Sequence, residues 1–202
     1  MEINISELMK SSKNALEGKW VLAIGTFLVF LLITVGIQAA SKEYPIMGLI
    51  SVLIAGPFTV GLSRFALQIS RNEEAGFEDS LSGFSNFLNS FLASILSGII
   101  IIIGIVLLIV PSVIAAITLS MTYFIIAEDD SITAVNALKK SHAMMDGYKL
   151  SYFFIILRYI ALAILCILTL GIGFLWLIPY IYVTNAKFYD NIKDNNPIDI
   201  LA

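Results

Sequence analysis

The sequence predicts an all-α membrane protein: a polytopic bundle of six transmembrane helices with amphipathic helices along the inner face. Three observations carry this. The chain of 202 residues is 58% hydrophobic and only 13% charged, with a mean hydropathy of +0.91. A soluble domain is nearer a quarter charged, and so little polar surface cannot cover a water-facing globule. The apolar residues come in long, nearly uncharged runs, and the basic residues between them fall almost entirely on one side.

A spanning helix needs ~20 apolar residues. Residues 20–40 carry no charge and form the first span. A signal-peptide core is ~7–15 residues, so length favours a retained anchor, although Ile37 and Ala39 fit a weak cleavage site. After the polar link 41–45 the second span, 46–66, runs through Pro57. The uncharged run 88–127 would reach ~60 Å as one helix, about twice the hydrocarbon thickness. It therefore divides into spans at 88–108 and 111–127, with Pro111 at the junction. Proline cannot continue a helix without losing a backbone hydrogen bond, but it suits the first turn of the next one. A proline kink within one helix is the alternative, since membranes tolerate it. The last apolar run divides at Gly171-Ile172-Gly173 into spans 150–170 and 173–189.

Charge placement orients the bundle. With the N-terminus inside, 11 of the 12 Lys and Arg residues lie on the inner side (12 − 1, Lys42 being external). That asymmetry predicts both termini on the cytoplasmic side of the membrane. Trp20 then lies near the inner interface and Trp176 near the outer one, as aromatic belts require.

Three connecting stretches have helical amphipathic spacing. In 5–16 the apolar stripe is Ile5, Leu8, Met9 and Leu16. In 77–91 it is Leu81, Phe84, Phe87, Leu88 and Phe91. The third helix is expected to start from a cap at Asp130-Ser131, reach Met145 and end at Gly147. Such helices suit the membrane interface. An amphipathic stretch, a span, and a second span carrying a proline (Pro57, Pro111, Pro179) then suggest a triplicated unit with proline-broken second helices. Ser12 to Gly18 parallels Ser141 to Gly147, with Ser, apolar, apolar, acid and Gly at matching offsets.

Several short patterns occur in a shared order. They are Ala15-Leu16-Glu17-Gly18-Lys19-Trp20, Leu108-Ile109-Val110-Pro111, Ser120-Met121, Ala127-Glu128-Asp129, Ser141 with Met145 and Gly147, and Gly171-Ile172-Gly173 leading to Pro179-Tyr180, Thr184, Ala186 and Phe188-Tyr189. Through these the chain resembles the small bacterial membrane proteins grouped as domain of unknown function 975. That family looks distantly similar to the membrane domain of some glycerophosphodiester phosphodiesterases. The chain departs from the pattern at Ser112, where the family usually has Gly after the central Pro, and at Thr122-Tyr123-Phe124 and Asp130. The resemblance implies a fold and a compartment, and no activity.

No nucleophile–base pair, metal-ligand spacing or phosphate-cradling motif is legible, so no catalytic residue, cofactor or metal is expected. Cys166 lies in an apolar run and His142 has no second histidine to join it. The candidate binding residues are Arg158, Arg64, Ser120 and Glu128. Ionisable side chains within spans usually face a bundle interior or a watery cavity, although a long Arg can instead snorkel to the lipid phosphates. Glu128-Asp129-Asp130 offers cation-binding charge, against the simpler reading of a solvated helix end. Ser90, Ser94 and Gly98, at four-residue spacing, are expected to let helix backbones approach. The structural positions are completed by Pro57, Pro111, Pro179, Gly171 and Gly173.

Function is narrowed to class. A non-enzymatic membrane protein is expected: an accessory to export, an envelope-stress component, or a factor protecting against a membrane-active peptide. Its partners are then the lipid bilayer and another membrane protein or such a peptide, with no nucleic acid. The alternative is a small transporter or channel with its site at proline-broken helices.

Overall fold

The computed structural model describes residues 3–107 and 109–195. The end of the predicted third span, at 108, lies outside them, and so does the C-terminus. Among the described residues all regular structure is helical. Helix α1 is Ile5–Leu16, α2 is Trp20–Ser41 and α3 is Pro45–Ser70. A 3₁₀ helix, η1, covers Phe77–Phe84, followed by α4 at Phe87–Leu107 and α5 at Ile109–Thr118. Then come α6 at Thr122–Glu128, α7 at Ala134–Met144, α8 at Lys149–Leu168 and α9 at Phe174–Asn195.

Among the described residues four helical segments are long and apolar enough to cross a membrane: Trp20–Ser41, Pro45–Ser70, Pro111–Glu128 and Lys149–Leu168. A fifth is available if η1 and α4, which meet at 78°, count as one bent span. Large apolar side chains stay exposed along these helices, among them Val21 at 88% and Leu168 at 76%. An exterior this apolar suits lipid and not water. Helix α9 does not qualify, since Asn185, Lys187, Asp190 and Asn191 crowd its second half.

The amphipathic elements differ in outcome. Helix α1 forms as expected, with Leu8, Ala15 and Leu16 buried and the Asn4 side chain accepting the Glu7 N–H at 3.2 Å. The stretch 77–91 is not one helix. It breaks after Phe84, because Ser80, Ser82 and Ser85 each donate a hydroxyl to the carbonyl three residues back, favouring the tighter turn. Helix α7 starts at Ala134 under a Thr133 cap, not at Asp130-Ser131. Asp129 Oδ1 instead accepts both the Ser131 N–H and its hydroxyl, turning the chain before the helix begins. Gly18 and Gly147, at φ +77° and +80°, make matching left-handed turns out of α1 and α7.

The prolines also diverge. Pro57 and Pro179 lie inside the continuous helices α3 and α9, so those helices are not broken there. Membrane helices accommodate the freed carbonyl without ending. Pro111 alone stands in the first turn of a new helix, α5, which packs back on α4. The predicted span 111–127 is itself interrupted at Leu119–Met121, between α5 and α6.

The core sits where α3, α6 and α9 meet, around Phe65, Ile69, Ile125, Ile126, Phe188 and Ile192. The amphipathic elements ring it: η1 packs on α3, α7 on α6, and α1 on α9. Contact between α3 and η1 is backbone on backbone. A Cβ at Gly61 would strike the Ser80 carbonyl, and one at Gly83 the Pro57 carbonyl. Helix α9 is offset along α2: Phe174 and Leu175, at its start, line a small cavity with Ile24, Phe27, Leu28 and Leu31. The α8–α9 turn thus lies beside the middle of α2, ~15 Å short of its far end.

Candidate functional site

The ends of α3, α6 and α9 that share this core also converge in charge. Glu128 is the last residue of α6, Arg71 follows α3, and Asp190 and Lys193 lie in the last turns of α9. Arg71 Nη2 donates to Glu128 Oε1 at 2.6 Å and to Asp190 Oδ1 at 2.7 Å. The other Glu128 oxygen, Oε2, accepts from Lys193 Nζ at 2.8 Å and from the Tyr189 hydroxyl at 2.7 Å. Lys187 Nζ donates to the Ser70 carbonyl at 2.7 Å, and the Ser70 hydroxyl donates to Asp190 Oδ2 at 3.3 Å.

Each of the four charged members keeps between 23% and 33% of its side chain exposed, so water only partly screens them. Their charges cancel: Arg71 and Lys193 against Glu128 and Asp190. The Asp190 and Glu128 carboxylates push the Arg71 guanidinium up from its already high value, against the opposing effect of burial. Chemically the arrangement is a neutral clamp. These four groups hold one another as counter-ions, and Lys187 brings a fifth charge to the site, bonded to the Ser70 carbonyl.

Of the four binding candidates read from the sequence, the structure brings two near each other. Arg64 Nη2 pairs with Asp130 Oδ1 at 2.5 Å, and its Nε donates to the Ala127 carbonyl at 2.6 Å, so its partners stand on either side of Glu128 in the chain. The acidic trio is divided among three partners. Glu128 goes to the clamp, Asp129 to Ser131 and Asp130 to Arg64. Among the described residues no group of three metal-ligating side chains occurs. Ser120 stands apart at the α5–α6 turn, donating to the Ile117 carbonyl. Arg158, on α8, points to α1: Nη2 donates to Ser6 Oγ at 3.1 Å and Nη1 lies 3.5 Å from Met9 Sδ.

The small-residue positions separate too. Ser90 is fully buried, and its carbonyl blocks the space a Cβ on Gly56 would take, so α3 and α4 touch there. Ser94 bonds within its own helix, and nothing lies within 4 Å of a Cβ added at Gly98. The stripe therefore makes a close approach at one end only. Gly171 has φ +87°, and a Cβ at Gly173 would meet Cys166, so both glycines serve the tight α8–α9 turn. Trp20 and Trp176, expected at opposite interfaces, line one groove.

Sequence reasoning missed Arg71, Asp190, Tyr189 and Lys193. Their one local signal is polar residues recurring along the last turns of an otherwise apolar helix. Their partners lie 57 to 119 residues away.

Neither a curated protein nor a solved structure matches this chain. One family model does, described as protein of unknown function (DUF975), over residues 1–122 and 97–196. Those overlapping stretches cover nearly the whole chain, and they include the clamp, the core and every candidate residue above. The chain belongs to the DUF975 family of proteins of unknown function.

Proposed function

We propose that the protein is a non-enzymatic, multi-pass protein of the bacterial cytoplasmic membrane that serves as an accessory factor, in export, in envelope stress or in protection against a membrane-active peptide. The observation that carries the reading is the clamp. Its ionised groups neutralise one another and join α3, α6 and α9, which suits a body that presents surfaces and not one that performs chemistry. The transport alternative loses its main support, since Pro57 and Pro179 lie in continuous helices.

We assign six spans with both termini inside, the α4–α5 and α8–α9 turns facing out. The one-sided basic residues support this. The offset of the α8–α9 turn along α2 counts against full crossing by α8 and α9. The ring of contacts supports a triplicated unit, because η1, α7 and α1 each pack on the last helix of the unit before, with α1 closing the circle on α9.

Purified protein in liposomes tests the reading. Ion and solute flux should equal that of empty liposomes, and expression in a sensitive bacterium should raise tolerance to a pore-forming peptide. A saturable flux that Arg158→Ala abolishes would replace this proposal with a transporter.

A further inference from the structure

Helices α8 and α9 are tight at their turn, where Gly173 abuts Cys166, and they touch again further along, where the Tyr159 hydroxyl donates to Asn185 and Tyr152 packs on Phe188. Between these contacts lies a gap, a cavity of about 400 Å³, lined by Leu162 and Leu165 of α8, by Thr169 just after it, and by Trp176, Leu177 and Tyr180 of α9. Trp20 and Lys13 complete its wall. Arg158 lies one turn before Leu162 on the same stripe of α8. Its contact Met9 accepts the Tyr180 hydroxyl at 3.0 Å through its carbonyl, so Arg158 sits at the Tyr180 end of the gap. Lys13 is one turn beyond Met9 on α1.

We propose that this groove binds one anionic phospholipid, with an acyl chain along α8 and α9 and the phosphate held by Arg158 and Lys13. The inference rests on the membrane placement of these helices. Charge argues for it first. Arg64, Arg71 and Lys193 each hold a carboxylate, whereas among the described residues neither Arg158 nor Lys13 forms an ion pair, although Glu7 and Glu17 stand nearby in sequence. The partners of Arg158 are a hydroxyl and a thioether, uncharged acceptors that leave the guanidinium without a counter-ion beside hydrocarbon. A phosphate matches its planar fork in two parallel bonds, and basic pockets between membrane helices take such headgroups. Length argues for it second. From Arg158 to Thr169 is about 16 Å of helix, so with the α8–α9 turn beside the middle of α2, as the offset of α9 places it, and not at the outer face, Arg158 lies about one leaflet away, at the inner headgroup level.

The chain supplies its own probe, because it has 2 tryptophans and both line the groove. The full chain is reconstituted in phosphatidylcholine vesicles, and tryptophan quenching is titrated with phospholipids brominated on the acyl chain. Brominated phosphatidylglycerol should quench at about a tenfold lower mole fraction than brominated phosphatidylcholine. Lys13→Gln with Arg158→Gln should abolish that preference, while Lys139→Gln with Lys149→Gln, removing equal charge elsewhere, should leave it. Equal quenching by the two headgroups in the unaltered chain overturns the proposal, needing no variant to fold. So does a preference that both double variants lose alike, which would be diffuse attraction. Vesicles made wholly of brominated phosphatidylcholine test the membrane placement separately, since failure to quench there would show that the helices are not embedded.

Discussion

Arg71 and Glu128 meet at 2.6 Å, joining the ends of two helices that lie 57 residues apart in the chain. Glu128 also receives Lys193 and Tyr189, so one carboxylate anchors three donors from two directions. Glu128→Gln keeps the shape but removes the charge, and it should cost about 1–3 kcal/mol, read as a lower unfolding temperature in detergent. Tyr189→Phe, which deletes one neutral donor, should cost about 1 kcal/mol. If Glu128→Gln melts with the unaltered protein, the clamp does not hold the fold together.

Glycines give a paired test. Gly61→Ala and Gly83→Ala each place a methyl against a backbone carbonyl across the α3–η1 contact. Backbone cannot rotate away as a side chain can, so each should destabilise by about 1–3 kcal/mol or more. Gly98→Ala meets open space, and it should be neutral or add up to about 1 kcal/mol by favouring helix. Equal melting of all three variants would refute the close approach.

Gly18→Ala and Gly147→Ala have no steric obstacle, but φ is +77° and +80°. An alanine held in that region should cost about 1–2 kcal/mol. Comparable losses at the two sites, by thermal unfolding, are expected from their matching turns. A loss at one site only would argue against equivalent roles.

Topology is tested by cysteine labelling with Cys166 replaced by Ala. An impermeant maleimide should reach Glu43→Cys in intact cells, and His142→Cys only after permeabilisation. Ile172→Cys, in the exposed α8–α9 turn, should label from outside if those helices cross fully. Protection of Ile172→Cys beside a labelled Glu43→Cys would reduce the span count.

The local elements were legible where a single physical signal acts. Apolar length marked the α2, α3 and α8 helices, and a hydrophobic stripe marked α1. The length limit also made 88–127 too long for one helix, and Pro111 does open α5. Reading failed where two local signals compete. The stripe of 77–91 predicts one helix, yet the serine hydroxyls and the glycine contact with α3 tighten its first half. Asp130-Ser131 resembles a cap, but Asp129 takes Ser131 first.

Composition and the order of apolar residues alone determined an all-helical, membrane-suited chain, because the cost of water-exposed apolar surface depends only on which residues occur and in what order. Only the tertiary structure decided which charges are matched. Arg64 and Arg158 look alike in sequence, each a lone arginine in an apolar helix. Arg64 meets Asp130, whereas Arg158 meets a serine and a methionine at the mouth of a groove. Helix packing brings such partners together across the chain, and local pattern carries no record of it.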